Sequence, residues 1–245
     1  MNLIFGRANS KLIKLQTKTG KKLYTFSLLS GHTCLFAKDC RAQVDVVNGK
    51  RKLIDGPHLK FRCFSASQEA IYSGVYNSRK KNTELIKDCG NIVGTMRDLI
   101  NSSIPKNAEI IRVHVSGDYM TLNYLLAWLE VAKLNPNIHF YSYTKAVPLY
   151  LKAKERVGIP KNFMFTMSRG GTHDSLINSE NLKEAIVVNS KQEAKNLGLK
   201  IDTTDYLAAY GKNSFALQLH SQGPKGSIQA KLFSATHLQK SRKIS

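Results

Sequence analysis

The chain has 245 residues, 42% hydrophobic and 22% charged, a balance that excludes a wholly disordered or collagen-like polymer. Its 37 Lys and Arg face 17 Asp and Glu, and the resulting net charge of +20 excludes indifference to polyanions. Four cysteines are too few for a disulfide scaffold, and no stretch approaches the roughly 18 uncharged apolar residues of a membrane span.

Residues 1–22 are basic throughout and lack an apolar h-region, so no secretory signal is expected and the compartment is a reducing cytoplasm. Cysteines there are free, metal-bound or reactive. Residues 1–60 carry a net +9 and residues 221–245 a net +5, which marks the segments at about 1–22 and 221–245 as basic flanks. Without repeats or a Pro/Gly-rich linker, 1–245 reads as a single domain. Lys18-Thr19-Gly20-Lys21-Lys22 and Lys50-Arg51-Lys52 are either solvated surface or phosphate-holding arms for DNA, RNA or a nucleotide.

Residues 23–30 read as a first strand, followed by a long irregular stretch from Gly31 to about Ser67, punctuated by Gly49 and Gly56-Pro57. From residue 83 the texture alternates. An amphipathic helix is predicted over 83–103, a strand over 110–116, a helix over 122–134 and a strand over 138–144. Helices at 147–157, 174–183 and 191–197 then interleave with strands at 163–168, 185–189 and 215–220. Strand–helix alternation at this spacing predicts an α/β protein, a complete or partial (β/α) barrel, with an irregular Cys-bearing loop after the first strand.

Period two places Arg112, His114 and Ser116 on one face of their strand, and His139, Tyr141, Tyr143 and Lys145 on one face of the next. In a barrel that face points inward, where polar groups must be hydrogen-bonded or bind something. The strands end in Ser116-Gly117-Asp118, Thr144-Lys145, Ser168-Arg169-Gly170-Gly171, Asn189 and His220, and C-terminal strand ends carry active sites in such barrels. Each has a plainer use: Asp118 as a helix cap, His114 and His139 as core histidines, Tyr141 and Tyr143 as packing, Gly170-Gly171 as a turn.

Cys34, Cys40 and Cys63 lie between the first strand and the first long helix, whereas Cys89 falls on the apolar stripe of Leu85, Ile92 and Met96 as a small hydrophobe. Three thiolates are one short of a closed zinc or iron–sulfur site. The fourth ligand would be His32, a substrate or an outside group. An iron–sulfur cluster, a zinc ion and plain thiols all remain open on spacing alone.

The segments Gly31-His32-Thr33-Cys34, Lys38-Asp39-Cys40, Phe61–Ala70, His114–Tyr119, Phe140–Lys145 and Ser168–Gly171 resemble, in matching order, the phage "gene product 88" family. The likeness runs from about Leu23 to His220 and implies a phage or prophage origin and action in the bacterial host cytoplasm. More distantly, the arrangement resembles the radical S-adenosylmethionine enzymes, with a partial β/α barrel and a three-Cys loop after the first strand. That resemblance implies a 4Fe-4S cluster on Cys34, Cys40 and Cys63. It further implies S-adenosylmethionine held by Ser116, Gly117 and Asp118 with Lys145, Ser168 and Arg169. His32, His114, Tyr143 and His220 are further candidates. The departure is the spacing: three cysteines over thirty residues here, against eight in that superfamily.

Three functions compete. The first is an iron–sulfur protein, either a radical enzyme on an unknown substrate or a relative that has lost the chemistry. The second is a basic nucleic-acid-binding phage protein with structural cysteines. The third, a metal-free hydrolase or transferase using Asp118, Lys145 and His220, lacks a recognisable nucleophile–base pair. No membrane partner is expected, and the sequence fixes no oligomeric state.

Overall fold

A computed structural model describes residues 2–58 and 60–219. His220 and the basic flank 221–245 lie outside the described residues. The first flank is no loose arm. After a two-residue strand β1 (Gly6–Arg7), residues Ser10–Thr19 form helix α1. Asn9 caps it by accepting from the Lys11 and Leu12 amides, and Leu12 and Leu15, three apart, bury completely. Lys11, Lys14 and Lys18 around them hide this apolar stripe from a reading based on charge.

Strand β2 (Leu23–Phe26) follows, shorter than the 23–30 predicted. The stretch expected to be irregular contains a hairpin, β3 (Ala42–Val47) and β4 (Lys50–Asp55), paired antiparallel with Val47 opposite Lys50. Asn48 and Gly49 both take positive φ (50° and 72°), the two-residue turn that an Asn-Gly pair favours. Helix α2 (Phe64–Ile71) starts directly after Cys63 and runs into α3 (Ser73–Asp88). The predicted 83–103 helix is two helices, because Gly90 and Asn91 take left-handed φ between α3 and α4 (Val93–Ser103). Cys89 is buried as expected, with its thiol donating to the Leu85 carbonyl at 3.2 Å.

The remainder alternates: β5 (Ile110–Val113), α5 (Leu122–Leu134), β6 (His139–Thr144), α6 (Val147–Val157), β7 (Phe163–Ser168) and α7 (Asp174–Ser179). Then come β8 (Glu184–Val188), α8 (Lys191–Asn196), α9 (Tyr206–Tyr210) and β9 (Phe215–Gln218). The short α9 went unread. Seven strands form one sheet in the order β1-β2-β5-β6-β7-β8-β9, antiparallel only at β1. This is a mixed α/β fold with a mostly parallel sheet.

The parallel strands stand side by side in chain order, so right-handed crossovers put α4, α5, α6 and α7 on one face. That face, with Phe26, Ile111, Val113, Phe140, Phe165 and Met167, packs on α4, α5, α6 and α7. The opposite face, with Leu23, Ile110, Tyr141, Ala185 and Phe215, is covered by α1 and α9 through Leu12, Leu15, Ala208 and Ala209. Where a polar lumen was expected, α1 and α9 cover part of that face of the sheet.

One predicted face is corrected. His114 does not share the face of Arg112, because β5 stops at Val113 and His114 takes φ 63°, turning its ring into the helix-side core. There Nε2 lies 3.0 Å from the Tyr124 hydroxyl and the ring sits edge-on to Tyr119. Burial pushes its pKa down from 6.5 to about 3. The imidazole therefore stays neutral in the fold while the unfolded chain protonates near 6.5. Stability present above that value is lost as pH falls from 6.5 toward 3, at up to about 1.4 kcal/mol per pH unit. Urea titrations across this range should show the slope, and His114→Phe should flatten it.

Candidate functional site

The loop after β2 is fastened over the C-terminal strand tips by its own backbone. Leu28 N donates to Ser116 O (2.9 Å), and the amides of Lys38 and Asp39 donate to Gly170 O (3.1 and 2.9 Å). Ala37 bridges Gly171, and Asp39 O accepts from the amides of Lys60 and Phe61. The loop, the segment before α2 and the tips of β5 and β7 thus close on one another, and Cys34, Cys40 and Cys63 all lie in that junction.

Electrostatics reports that the three thiols are neighbours. The Cys34 thiol is pushed well above its usual pKa, first by burial, then by Asp118, Cys63 and Cys40. Cys63 is raised to about 11, again first by burial and then by Cys40, while the amides of Ala66 and Ser65 at the start of α2 pull the other way. Glu69 adds to the upward shift of Cys63. The Cys34 and Cys63 thiols, held up by burial and by neighbouring acids, therefore favour the protonated form in the absence of a cation. Among the described residues, no group of three or more His, Cys, Asp or Glu side chains is gathered tightly enough to hold a metal ion.

The acidic turn after β5 is occupied internally. Asp118 accepts from Thr144 Oγ1 (2.6 Å), Lys145 N (2.8 Å) and Tyr119 N (2.8 Å), joining the tips of β5 and β6. It does not cap α5; Thr121 does. Burial raises its pKa against the pull of these bonds. Gly117 adopts φ 82°, and a Cβ there would stand 2.7 Å from both Leu28 Cβ and Thr33 Oγ1. Gly117→Ala is therefore expected to destabilise the fold by about 2–4 kcal/mol through strain and overpacking, measurable as a lowered urea midpoint.

Lys145 Nζ donates to Ser168 O, Ser168 Oγ and Arg169 O (3.0, 2.6 and 2.9 Å), using all three of its protons to join β6 to β7. Arg169 turns away to Glu184 and Asn178. The amides of Gly170 and Gly171 do hold an anion, the chain's own Asp174 carboxylate (2.8 and 2.9 Å). His32 Nε2 lies 3.1 Å from Val44 O and 3.2 Å from Asp45 Oδ1, engaged by the hairpin rather than by the thiols. Tyr143 belongs to a separate cluster around Asp205, to which its hydroxyl donates at 3.2 Å.

Two residues at the centre of the site went unread. Glu69 is fully buried and accepts from Ser30 N, Ser30 Oγ, Ser116 Oγ and Arg79 NH1 at 2.8–3.0 Å. One carboxylate thereby ties the start of the Cys loop, the tip of β5, α2 and α3. Arg79 also donates to Ser65 O (3.0 Å) and Gln68 Oε1 (3.2 Å). Their spacing of ten residues, on two helices, carries no motif.

The family described as Gene product 88 matches residues 3–239 of this sequence. The chain belongs to the Gene product 88 family. It is similar to the Gene 88 protein of Mycobacterium phage L5, at 24% identity over 90 residues. That match covers 34% of this chain and 38% of the phage protein. No solved structure matches. For this family member, no helix among the described residues is long and apolar enough to cross a membrane.

Proposed function

We propose that this phage-family protein carries an iron–sulfur cluster on Cys34, Cys40 and Cys63 over the strand tips of a partial β/α barrel, in the host cytoplasm. The observation that supports it is the shared electrostatic neighbourhood of three thiols drawn from a loop, a pre-hairpin segment and a helix start. A single zinc ion with bonds of about 2.3 Å needs sulfurs roughly 3.8 Å apart, whereas a cluster spreads its thiolates over separate irons. The cluster reading rests on the convergence of the three cysteine-bearing segments on one junction, held by the bonds of Lys38, Asp39, Lys60 and Phe61.

A bound cluster supplies one-electron redox chemistry or a structural staple. The chain's part is to present thiolates: the amides of Ser65 and Ala66 favour ionised Cys63, and displaced protons leave a pocket already flanked by Asp118 and Glu69. At Cys34 and Cys63 the positive charge of a bound metal core would offset what burial makes unfavourable for the thiolates.

The reading stops short of S-adenosylmethionine. Lys145 has no free proton, Arg169 faces Glu184, and Ser116 is bonded to Glu69, so these groups do not fit the cofactor as they stand. The family member is thus read as a cluster protein without radical chemistry. Anaerobic reconstitution followed by iron and acid-labile sulfide analysis tests it; a colourless protein without iron ends it.

A second reading, a nucleic-acid binder with plain thiols, is favoured by one observation. Lys14, Lys18, Lys21 and Lys22 beside α1, and Lys50 and Lys52 on the hairpin, are exposed. Arg51 is not part of this surface, since it donates to the carbonyls of Ala70 and Ile71. Binding that weakens steeply with salt would support this reading, and its absence at low salt would remove it.

A further inference from the structure

Away from the thiols, a second polar cluster sits on the face of the sheet covered by α1 and α9. Asp205 is fully buried and holds φ 64°, a left-handed conformation that is strained for a non-glycine residue. Its carboxylate accepts from Lys11 Nζ (2.6 Å), Arg112 NH1 (2.6 Å) and the hydroxyls of Tyr141 and Tyr143 (3.2 Å each). One carboxylate therefore faces two cations. Asp202, the other acid that acts on Arg112, is already bonded to the amides of Thr204 and Ala208. Lys183 adds a third positive charge nearby, donating to the carbonyls of Leu207 and Ala208. Three cations, Lys11, Arg112 and Lys183, thus stand against two carboxylates, Asp205 and Asp202, an excess of one positive charge.

Arg112 is where that excess is directed. Its guanidinium is clamped by Asp205 and lies 4.9 Å over the Tyr143 ring, so the planar fork is fixed before anything binds. Only one of its five N–H donors has a protein acceptor among the described residues, and Nε is buried without one. The side chain nonetheless retains 16% exposure. On β7, opposite Tyr143 in the register, Thr166 Oγ1 is a second buried group without a partner. Further along the same chain, Val115 packs against the apolar residues of the face covered by α1 and α9, and its carbonyl accepts from Ser65 at the start of α2.

We propose that Arg112 is the oxyanion-binding residue of a small-molecule site, taking a phosphate or carboxylate group. A rigid guanidinium with paired free donors is the group that matches either oxyanion in a fork. Thr166 supplies a further hydroxyl donor. This site goes beyond the cluster reading and stands without it, since its charged groups hang on Asp205 and Lys11 and not on the cysteine loop.

Calorimetric titration of the full-length protein, with and without cluster reconstitution, separates the two ideas. The probes are inorganic phosphate, adenosine monophosphate and succinate, with chloride at matched ionic strength as reference. Saturable binding of a phosphate or of succinate is expected, and those arms tell which oxyanion is taken. Arg112→Gln should weaken it about tenfold or more, the effect of losing a charge-assisted pair. Asp205 keeps Lys11 and both tyrosines in that variant. Arg112→Lys, which also keeps the charge beside Asp205, should bind more weakly than wild type, and Lys14→Gln on the exposed side of α1 should bind equally. No saturable binding to the wild-type chain, or equal losses in Arg112→Gln and Lys14→Gln, would overturn the proposal.

Discussion

Replacing Cys34, Cys40 or Cys63 singly by alanine is expected to reduce reconstituted iron and sulfide to background, while Cys89→Ser retains the full content. The contrast follows from placement. Cys89 closes α3 inside the helix-side core, with its proton donated to Leu85 O and its pKa raised first by burial and then by Asp88. The other three share one charged neighbourhood, so each loss removes a ligand that nothing nearby replaces. His32 is no substitute while the hairpin holds its Nε2. Iron bound at wild-type level by Cys34→Ala or Cys63→Ala would contradict the assignment, and a cluster lost in Cys89→Ser as well would point to general unfolding.

Arg79→Ala should give the largest loss of stability, about 3–5 kcal/mol, because it leaves the Glu69 carboxyl group buried without its cation. Glu69 is completely shielded and Arg79 nearly so, which distinguishes the pair from solvent-screened surface bridges. The double replacement Glu69→Gln with Arg79→Met should recover part of the loss, since no unpaired charge then remains. Urea unfolding at constant slope measures both. A shift of under about 1 kcal/mol for Arg79→Ala would show that water reaches Glu69. The same variant should also impair cluster loading, because Glu69 ties together Ser30, Ser116 and the helix that Cys63 begins.

Much of this architecture could be read from local pattern. Period-two runs such as Phe163–Ser168 and the 3.6-residue stripe of 122–134 lie within a residue or so of the observed β7 and α5. Boundaries failed where single residues took left-handed backbone: His114 ended β5 three residues early, and Gly90 with Asn91 cut one predicted helix into two. The hairpin carried its Asn48-Gly49 signal in plain view, but charged residues diluted the alternation around it. Helix α1 was overlooked because its basic residues outnumber the two leucines that bury it.

The sequence by itself determined the alternation of strands and helices, the basic surface and the identity of the three early cysteines. These depend on residue type and on short periods that a single segment carries. Only the tertiary structure decided that Lys145, Asp118 and Arg169 are paired within the protein, that Glu69 is the centre of the cysteine junction, and that Asp205 faces Arg112 across 93 residues of chain. A buried charge selects its partners by proximity in the fold and by the exclusion of water there. Neither quantity has a period along the chain.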